Sequence, residues 1–300
     1  MRPHQPWRAY VYALLAVGGW ATAASAFKLA LRTLEAPQLL GLASLVSTLL
    51  LLLVLWAQGK GELLWQQTRV DWLLSGLQGL LNPFAYYLIL LQAYDRLPAQ
   101  AALALNYTWP LVLALLAVPI LREPLRIKTL MALGLSLIGV ILIATGGNLQ
   151  ILEVQDPVGV GLALGSSGIW ALYWLVNLRD PRDGVVKLFL SFCFGTLLTL
   201  MLLPLLSPLR WPEGIELLLG IYVGTTEMGL TFVFWLQALQ LAPNRAAIAN
   251  TVYGAPFLSL VLIAVVVGEP IAVASVMGLS LILGSILWQS LPPRVTSPQA

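Results

Sequence analysis

The chain has 300 residues, of which 59% are apolar and only 10% are charged, and its net charge is +3. Soluble domains carry charges on about a quarter of their residues, so this composition excludes a soluble globular protein. One cysteine and one histidine exclude a disulfide within the chain and leave too few ligands for a metal cluster. We therefore expect no cofactor, no metal and no nucleic-acid partner.

Ten apolar stretches each reach the length of about 20 residues that a helix needs to cross a bilayer. The connections between them hold nearly all the charges and turn-forming residues. The predicted fold class is therefore an all-α integral membrane protein with ten transmembrane helices. The predicted spans cover residues 9–31, 37–57, 72–94, 98–119, 127–146, 157–178, 185–207, 215–239, 243–267 and 271–290.

An internal repeat relates the two halves of the chain. Residues 97–124 and residues 242–270 share a proline near the start, a second proline midway and a closing Glu-Pro pair. Each half holds five spans, an odd number, so the second half enters the membrane from the opposite side. We predict an N-terminal repeat, residues 1–150, and an inverted C-terminal repeat with a short cytoplasmic tail, residues 151–300. A central cavity is expected where they meet.

The lysines and arginines predict the orientation of the chain. With the N-terminus inside, most of the 16 basic residues fall on the cytoplasmic side, which the positive-inside rule favours. Both termini are then cytoplasmic. Lys28 is an exception near the outer end of span one, where we expect its ammonium group to reach water.

Prolines inside spans predict broken helices. Pro83, Pro110 and Pro256 each remove a backbone donor and disturb a carbonyl group one turn earlier. In hydrocarbon that carbonyl must find a partner in the protein or in a water-filled cavity. We therefore predict hinges beside a cavity, with simple packing kinks as the alternative.

Polar and aromatic residues at mid-depth suggest what the cavity binds. Glu227 is the acidic residue deepest inside a span, where it can accept a substrate ammonium group, exchange a proton or bond to a neighbouring helix. A wall of rings and amides suits an amphipathic solute, whereas ordinary bundle packing explains any single ring. The other predicted binding residues are Trp20, Asn82, Tyr86, Tyr87, Asn106, Tyr107, Trp109, Trp170, Tyr173, Asn250 and Tyr253.

With its two five-span repeats, Trp20 and Trp170, and the pairs Glu123-Pro124 and Glu269-Pro270, the chain resembles the drug/metabolite transporter superfamily. It is most similar to the EamA-type ten-helix exporters. Residues 106–110 and 168–173 look more narrowly like the aromatic amino acid exporters of enteric bacteria. The resemblance implies a central cavity walled by spans one, three, four, six, eight and nine.

These observations predict a secondary transporter of the bacterial inner membrane that works by alternating access. We expect it to export amino acids, above all aromatic or large neutral ones, and related amphipathic metabolites or drugs. Its expected partners are this small-molecule substrate, the lipid bilayer and, secondarily, protons carried by Glu227; the chain is expected to be a monomer or weak dimer. The alternatives are a sugar-phosphate or nucleotide-sugar exchanger, an integral membrane enzyme, and a non-transporting receptor.

Overall fold

The computed structural model describes residues 6–121, 127–148, 154, 156–242, 248 and 250–290. This part of the chain consists of apolar helices and short connections, without a β-strand. Nine of its helices are long and apolar enough to cross a membrane, and the tenth is slightly shorter. The predicted fold class is therefore confirmed. The Glu123-Pro124 pair lies outside the described residues.

The ten helices follow the predicted spans closely. A short 3-10 helix, Gly61–Gln66, joins the second to the third. Helices α1 to α10 cover Pro6–Ala30, Ala36–Ala57, Arg69–Arg96, Ala99–Ile120, Ile127–Ala144, Pro157–Leu178, Gly184–Leu206, Ile215–Leu241, Asn250–Val267 and Val273–Ser290.

Polar caps decide where several helices begin. α3 begins at Arg69, earlier than predicted, because Thr68 and Asp71 form a capping box. Asp156 caps α6 by accepting a hydrogen bond from the Gly159 N–H at 2.8 Å. This bond holds the pKa of the Asp156 carboxyl below its ordinary value. Hydropathy alone does not register such caps, since the capping residues are polar.

Two helices break close to predicted kink prolines in the first half of the chain. α3 is interrupted at Leu80–Ala85, where Asn82 has extended dihedral angles of φ −146° and ψ 120° before Pro83. α4 is interrupted at residues 107–108, immediately ahead of the segment that carries Pro110. The breaks divide each span into two shorter helices.

Two helices of the second half are also irregular. The turns of α8 widen over Val223–Leu230, around Glu227. In α9 a tight turn, Asn250–Gly254, precedes the regular segment that carries Pro256. Widened turns of this kind often lie at functional sites.

The packing of the helices follows one pattern in both halves. α5 packs most extensively against α10, and α2 packs against α7. α1 packs against α8 and α9, while α6 packs against α3 and α4. Exchanging α1–α5 for α6–α10 leaves this pattern unchanged. A two-fold relation between the halves requires such a pattern, and the inverted orientation of the repeats stays a prediction.

Polar side chains collect at the two ends of the bundle. At one end, which we call the Arg182 face, the Arg182 guanidinium donates to Asp180 Oδ2 at 2.6 Å. Gln78 Nε2 donates to the same oxygen at 2.9 Å, which ties the connection between α6 and α7 to α3. At the opposite end, the Arg96 face, Arg96 pairs with Asp156 at 3.1 Å.

Candidate substrate cavity

A cavity of about 310 Å³ lies between the two halves of the bundle. Its wall comes from α1, α3, α4, α6, α8 and α9, the six helices that the family resemblance implied. Nine of the predicted binding residues are in this wall. They are Trp20, Tyr86, Tyr87, Asn106, Tyr107, Trp109, Trp170, Glu227 and Tyr253.

Trp170 is the centre of the aromatic wall. Its indole stacks on Tyr86 with ring centroids 4.5 Å apart and on Tyr173 with centroids 5.4 Å apart. Phe232 meets the same indole edge-on at 5.9 Å. Aromatic pairs prefer these offset and edge-on geometries because the ring faces are negative and the ring edges positive. Rings from α3, α6 and α8 are thereby held in fixed positions.

A second set of rings joins α1 to α8. Trp20 lies 5.8 Å from Phe232 and 5.3 Å from Trp235, both edge-on. Phe232 therefore contacts the matching tryptophan of each half, Trp20 and Trp170. The aromatic surface is continuous around one side of the cavity.

Glu227 brings a carboxylate to this apolar wall. Its side chain is buried, and Oε1 accepts a hydrogen bond from the Tyr87 hydroxyl at 3.2 Å. Oε2 is buried and has no hydrogen-bond partner among the residues that the structure describes. A buried carboxylate oxygen without a donor is costly, so the site is suited to a cationic or hydrogen-bonding group from a ligand.

Asn106 supplies the amide of the wall. Its Nδ2 donates to Ser166 Oγ at 2.9 Å, and its Oδ1 accepts from the Tyr86 hydroxyl at 3.3 Å. Both ends of the amide are thus occupied by neighbours. These bonds connect α4 to α6 and α3 beside the break in α4.

Three predicted binding residues lie outside this wall. Asn82 is fully buried at the break in α3. Tyr173 is buried behind Trp170, and its hydroxyl accepts from Asn177 Nδ2 at 3.4 Å. Asn250 is exposed at the start of α9. The position of a residue midway along a predicted span does not determine whether its side of the helix faces the cavity.

Sequence reasoning missed five aromatic residues of the wall. Three of them could have been found from their helical spacing to predicted binding residues. Phe27 and Tyr94 follow Trp20 and Tyr87 by two helical turns. Trp174 likewise follows Trp170 by one turn. The five missed residues are Phe27, Tyr94, Trp174, Phe232 and Trp235.

Lys28 helps to close the cavity at the Arg96 face. Its Nζ donates to the carbonyl oxygens of Tyr94 and Leu97, at 2.8 Å each. These are among the last carbonyls of α3, where a cation is stabilised by the helix dipole. The end of α3 beside Lys28 supplies these acceptors, and because Lys28 is half-buried, the contact of its ammonium group with water stays a prediction.

The start of α4 is closed against the connection between α9 and α10. The Glu269 carboxylate accepts from the Ala99 N–H at 2.9 Å. Gln100 donates to the Pro270 carbonyl at 2.8 Å and accepts from the Ala272 N–H at 2.9 Å. These bonds join the two halves at the Arg96 face.

The cavity wall becomes more exposed toward the Arg182 face. Leu178, at the end of α6, is 68% exposed, whereas Phe27 and Tyr94 near the other end are 2% and 3% exposed. Leu239 and Val252 are half-buried. Among the described residues, the cavity is therefore closed at the Arg96 face and open toward the Arg182 face.

Within the described ranges, no group of three or more histidine, cysteine or acidic side chains could hold a metal ion. The charged chemistry of the cavity thus rests on Glu227.

A bundle of apolar helices around a cavity that is closed at one end is the architecture of a membrane transporter. The sequence matches the EamA-like transporter family twice, over residues 7–145 and over residues 157–291. The chain therefore belongs to the EamA-like transporter family, as its motifs led us to expect.

Two bacterial relatives support this assignment. An uncharacterized transporter of Clostridium kluyveri is 30% identical over 179 residues, which is 56% of each chain. The uncharacterized transporter YyaM of Bacillus subtilis is 23% identical over 141 residues, 47% of this chain and 45% of the relative. The chain thus spans about half the length of these curated relatives.

A solved structure titled "Crystal structure of protein" has a similar fold. It aligns with a TM-score of 0.65 and 22% identity, covering 95% of this chain and 97% of the other. At this identity the likeness shows the fold alone.

Proposed function

We propose that this protein is a secondary transporter that exports amino acids and related amphipathic metabolites or drugs. Its preferred amino acids are aromatic or large and neutral. The observation that carries this proposal is a ring-lined cavity with one buried carboxylate, placed where the two halves of the chain meet. The motifs around Asn106 and Trp170, which resemble those of aromatic amino acid exporters, support the same substrate class.

Transport proceeds by alternating access, in which the two halves rock around the cavity. The exchange symmetry of the helix contacts supports this mechanism, since two similar halves can adopt each other's conformation. The hydrogen bonds of Lys28 and Glu269 hold the Arg96 face closed in the present conformation. Opening that face requires these bonds to break.

The orientation that we propose places both termini in the cytoplasm of a bacterial cell and the Arg182 face toward it. The positive-inside rule supports this arrangement. Cells carrying Cys193→Ser with either Glu213→Cys or Glu62→Cys test it, using a membrane-impermeant maleimide. We expect labelling at position 213 and not at position 62; the reverse result would invert the topology.

Proton exchange at Glu227 is a secondary part of the proposal. The buried position of this carboxylate, with one oxygen unpartnered among the described residues, supports it. Unchanged transport with an unchanged pH dependence in Glu227→Gln would remove the role.

The absence of basic residues from the described wall disfavours a sugar-phosphate or nucleotide-sugar exchanger. Phosphate recognition relies on arginine or lysine at the site.

Purified protein in liposomes tests the main proposal. Vesicles are loaded with labelled phenylalanine, leucine, tryptophan and an aromatic cation, and efflux is compared with that from protein-free vesicles. We expect accelerated efflux of at least one aromatic compound. Efflux equal to that of protein-free vesicles for every compound would overturn the proposal.

A further inference from the structure

The charge balance of the cavity discriminates between classes of amphipathic cargo. Its described wall contains one carboxylate, Glu227, and no lysine or arginine. Among the described residues, the one hydrogen bond to that carboxylate comes from a neutral donor, the Tyr87 hydroxyl, and reaches one of its two oxygens. The described wall thus holds one acidic side chain and no basic one.

The rings beside Glu227 strengthen its attraction for cations. Phe27 packs edge-on against Tyr87 with ring centroids 6.3 Å apart, and Tyr86 stacks on Trp170. Aromatic faces attract ammonium groups, and this attraction grows when water is excluded. An ammonium group at Glu227 would therefore find both a counter-charge and ring faces.

A substrate carboxylate finds no cationic partner in the described wall. The start of a half-helix is the usual receptor for a carboxylate, but Pro110 lacks an N–H at the start of the second segment of α4. The next amide, that of Leu111, donates to the Thr108 carbonyl at 3.0 Å. Asn106 Nδ2 already donates to Ser166. The Trp174 indole N–H is a buried donor without a partner among the described residues, but it is neutral, and a carboxylate buried without a counter-charge is unfavourable.

The geometry points to a preference for amphipathic monoamines that lack a free carboxylate over the corresponding zwitterionic amino acids. The ammonium group binds Glu227 Oε2, and the aromatic body lies against Trp170 and Tyr86. The volume of about 310 Å³ falls at the small end of ligand pockets, which suits a compact amine. This inference rests on the proposed function and narrows its substrate class.

Equilibrium binding of matched probes tests the preference. Tritiated tryptamine and tryptophan differ by one carboxylate. Tryptophan methyl ester keeps the ammonium group but has no free carboxylate, and indole-3-ethanol has neither group. We expect tryptamine and the ester to bind roughly ten-fold or more tightly than tryptophan or indole-3-ethanol, because one unpaired buried charge costs at least a factor of ten.

Glu227→Gln is expected to weaken tryptamine binding about ten-fold or more while leaving tryptophan binding unchanged or improved. Glu213→Gln, which removes an exposed carboxylate beside the start of the same helix, is the matched control and keeps the wild-type ranking. If the Glu227 variant does not fold, the ranking of the four binding affinities on the wild-type protein still tests the preference.

Two results would overturn the inference. Tryptophan binding as tightly as tryptamine would reject the preference while leaving the proposed function intact. Failure of all four probes to bind would reject both.

Discussion

The Trp170 indole stacks on the Tyr86 ring with centroids 4.5 Å apart and an interplanar angle of 26°. Tyr86 belongs to the first predicted repeat and Trp170 to the second, so the stack joins the two halves across the cavity. Such pairs contribute about 1 kcal/mol beyond the area they bury. The rings that would face a cargo therefore also stabilise the bundle.

Trp170→Ala should affect both binding and stability. It removes the stacking partner of Tyr86 and leaves a cavity, so we expect a loss of about 3 kcal/mol in the free energy of unfolding and roughly ten-fold weaker cargo binding. Denaturant titration and radioligand binding measure the two effects. Trp211→Ala, at a side chain that is 81% exposed, is the control and should change neither. Equal losses in both variants would contradict the assignment.

Lys28→Met should loosen the closure at the Arg96 face. The substitution removes two hydrogen bonds at the end of α3 while keeping an unbranched side chain of similar length. We expect faster amide hydrogen exchange in peptides covering residues 94–100, since that segment opens more often. Arg69→Met, at the start of the same helix on the opposite face, is the control. No change in exchange at residues 94–100 would show that Lys28 does not hold the closure.

Asp180 should make the folding stability of the protein depend on pH. Its burial would raise the pKa of this carboxyl, but hydrogen bonds from Arg182 and Gln78 outweigh burial and leave the pKa below the ordinary 3.8. A lowered carboxyl pKa contributes stability above the unfolded-state pKa, and that contribution is lost as the pH falls through the folded-state value.

The melting temperature measured from pH 7 to pH 3 tests this effect by comparing the wild-type protein with Asp180→Asn. We expect the wild type to be more stable at pH 7 and its advantage to shrink below about pH 4. Glu62→Gln, at an exposed site on the same face, is the control. An advantage that stays constant across this range would refute the role of Asp180.

Gly139 should be intolerant of a side chain. A Cβ at this position of α5 would lie 2.6 Å from the Gly278 carbonyl oxygen of α10. Small residues permit such close approach of membrane helices, so Gly139→Ala should lower the free energy of unfolding by about 1–3 kcal/mol. Gly134→Ala on the same helix meets no atom of the described residues within 4 Å and serves as the control. Equal stability of the two variants would contradict this packing.

The helices were predictable because a bilayer demands long apolar segments, and their boundaries differ mainly where polar caps such as Thr68 extend them. The location of the candidate cavity was also predictable at the level of residue type. Trp20, Trp170 and Glu227 stood out because rings and carboxylates are unusual at mid-depth. The missed rings Phe232 and Trp235 were hidden in an apolar run, where core and cavity residues look alike.

By itself the sequence determined the number of spans, the internal repeat and the family, since these depend on length, hydropathy and motif order. Only the tertiary structure decided which side of each helix faces the cavity. It placed Tyr86 in the wall but Asn82, one turn earlier, behind it. It also showed that Lys28 of α1 donates a hydrogen bond to a carbonyl near the end of α3. The physical reason is that the rotation and contacts of a helix depend on neighbours far away in the chain, which local sequence pattern does not record.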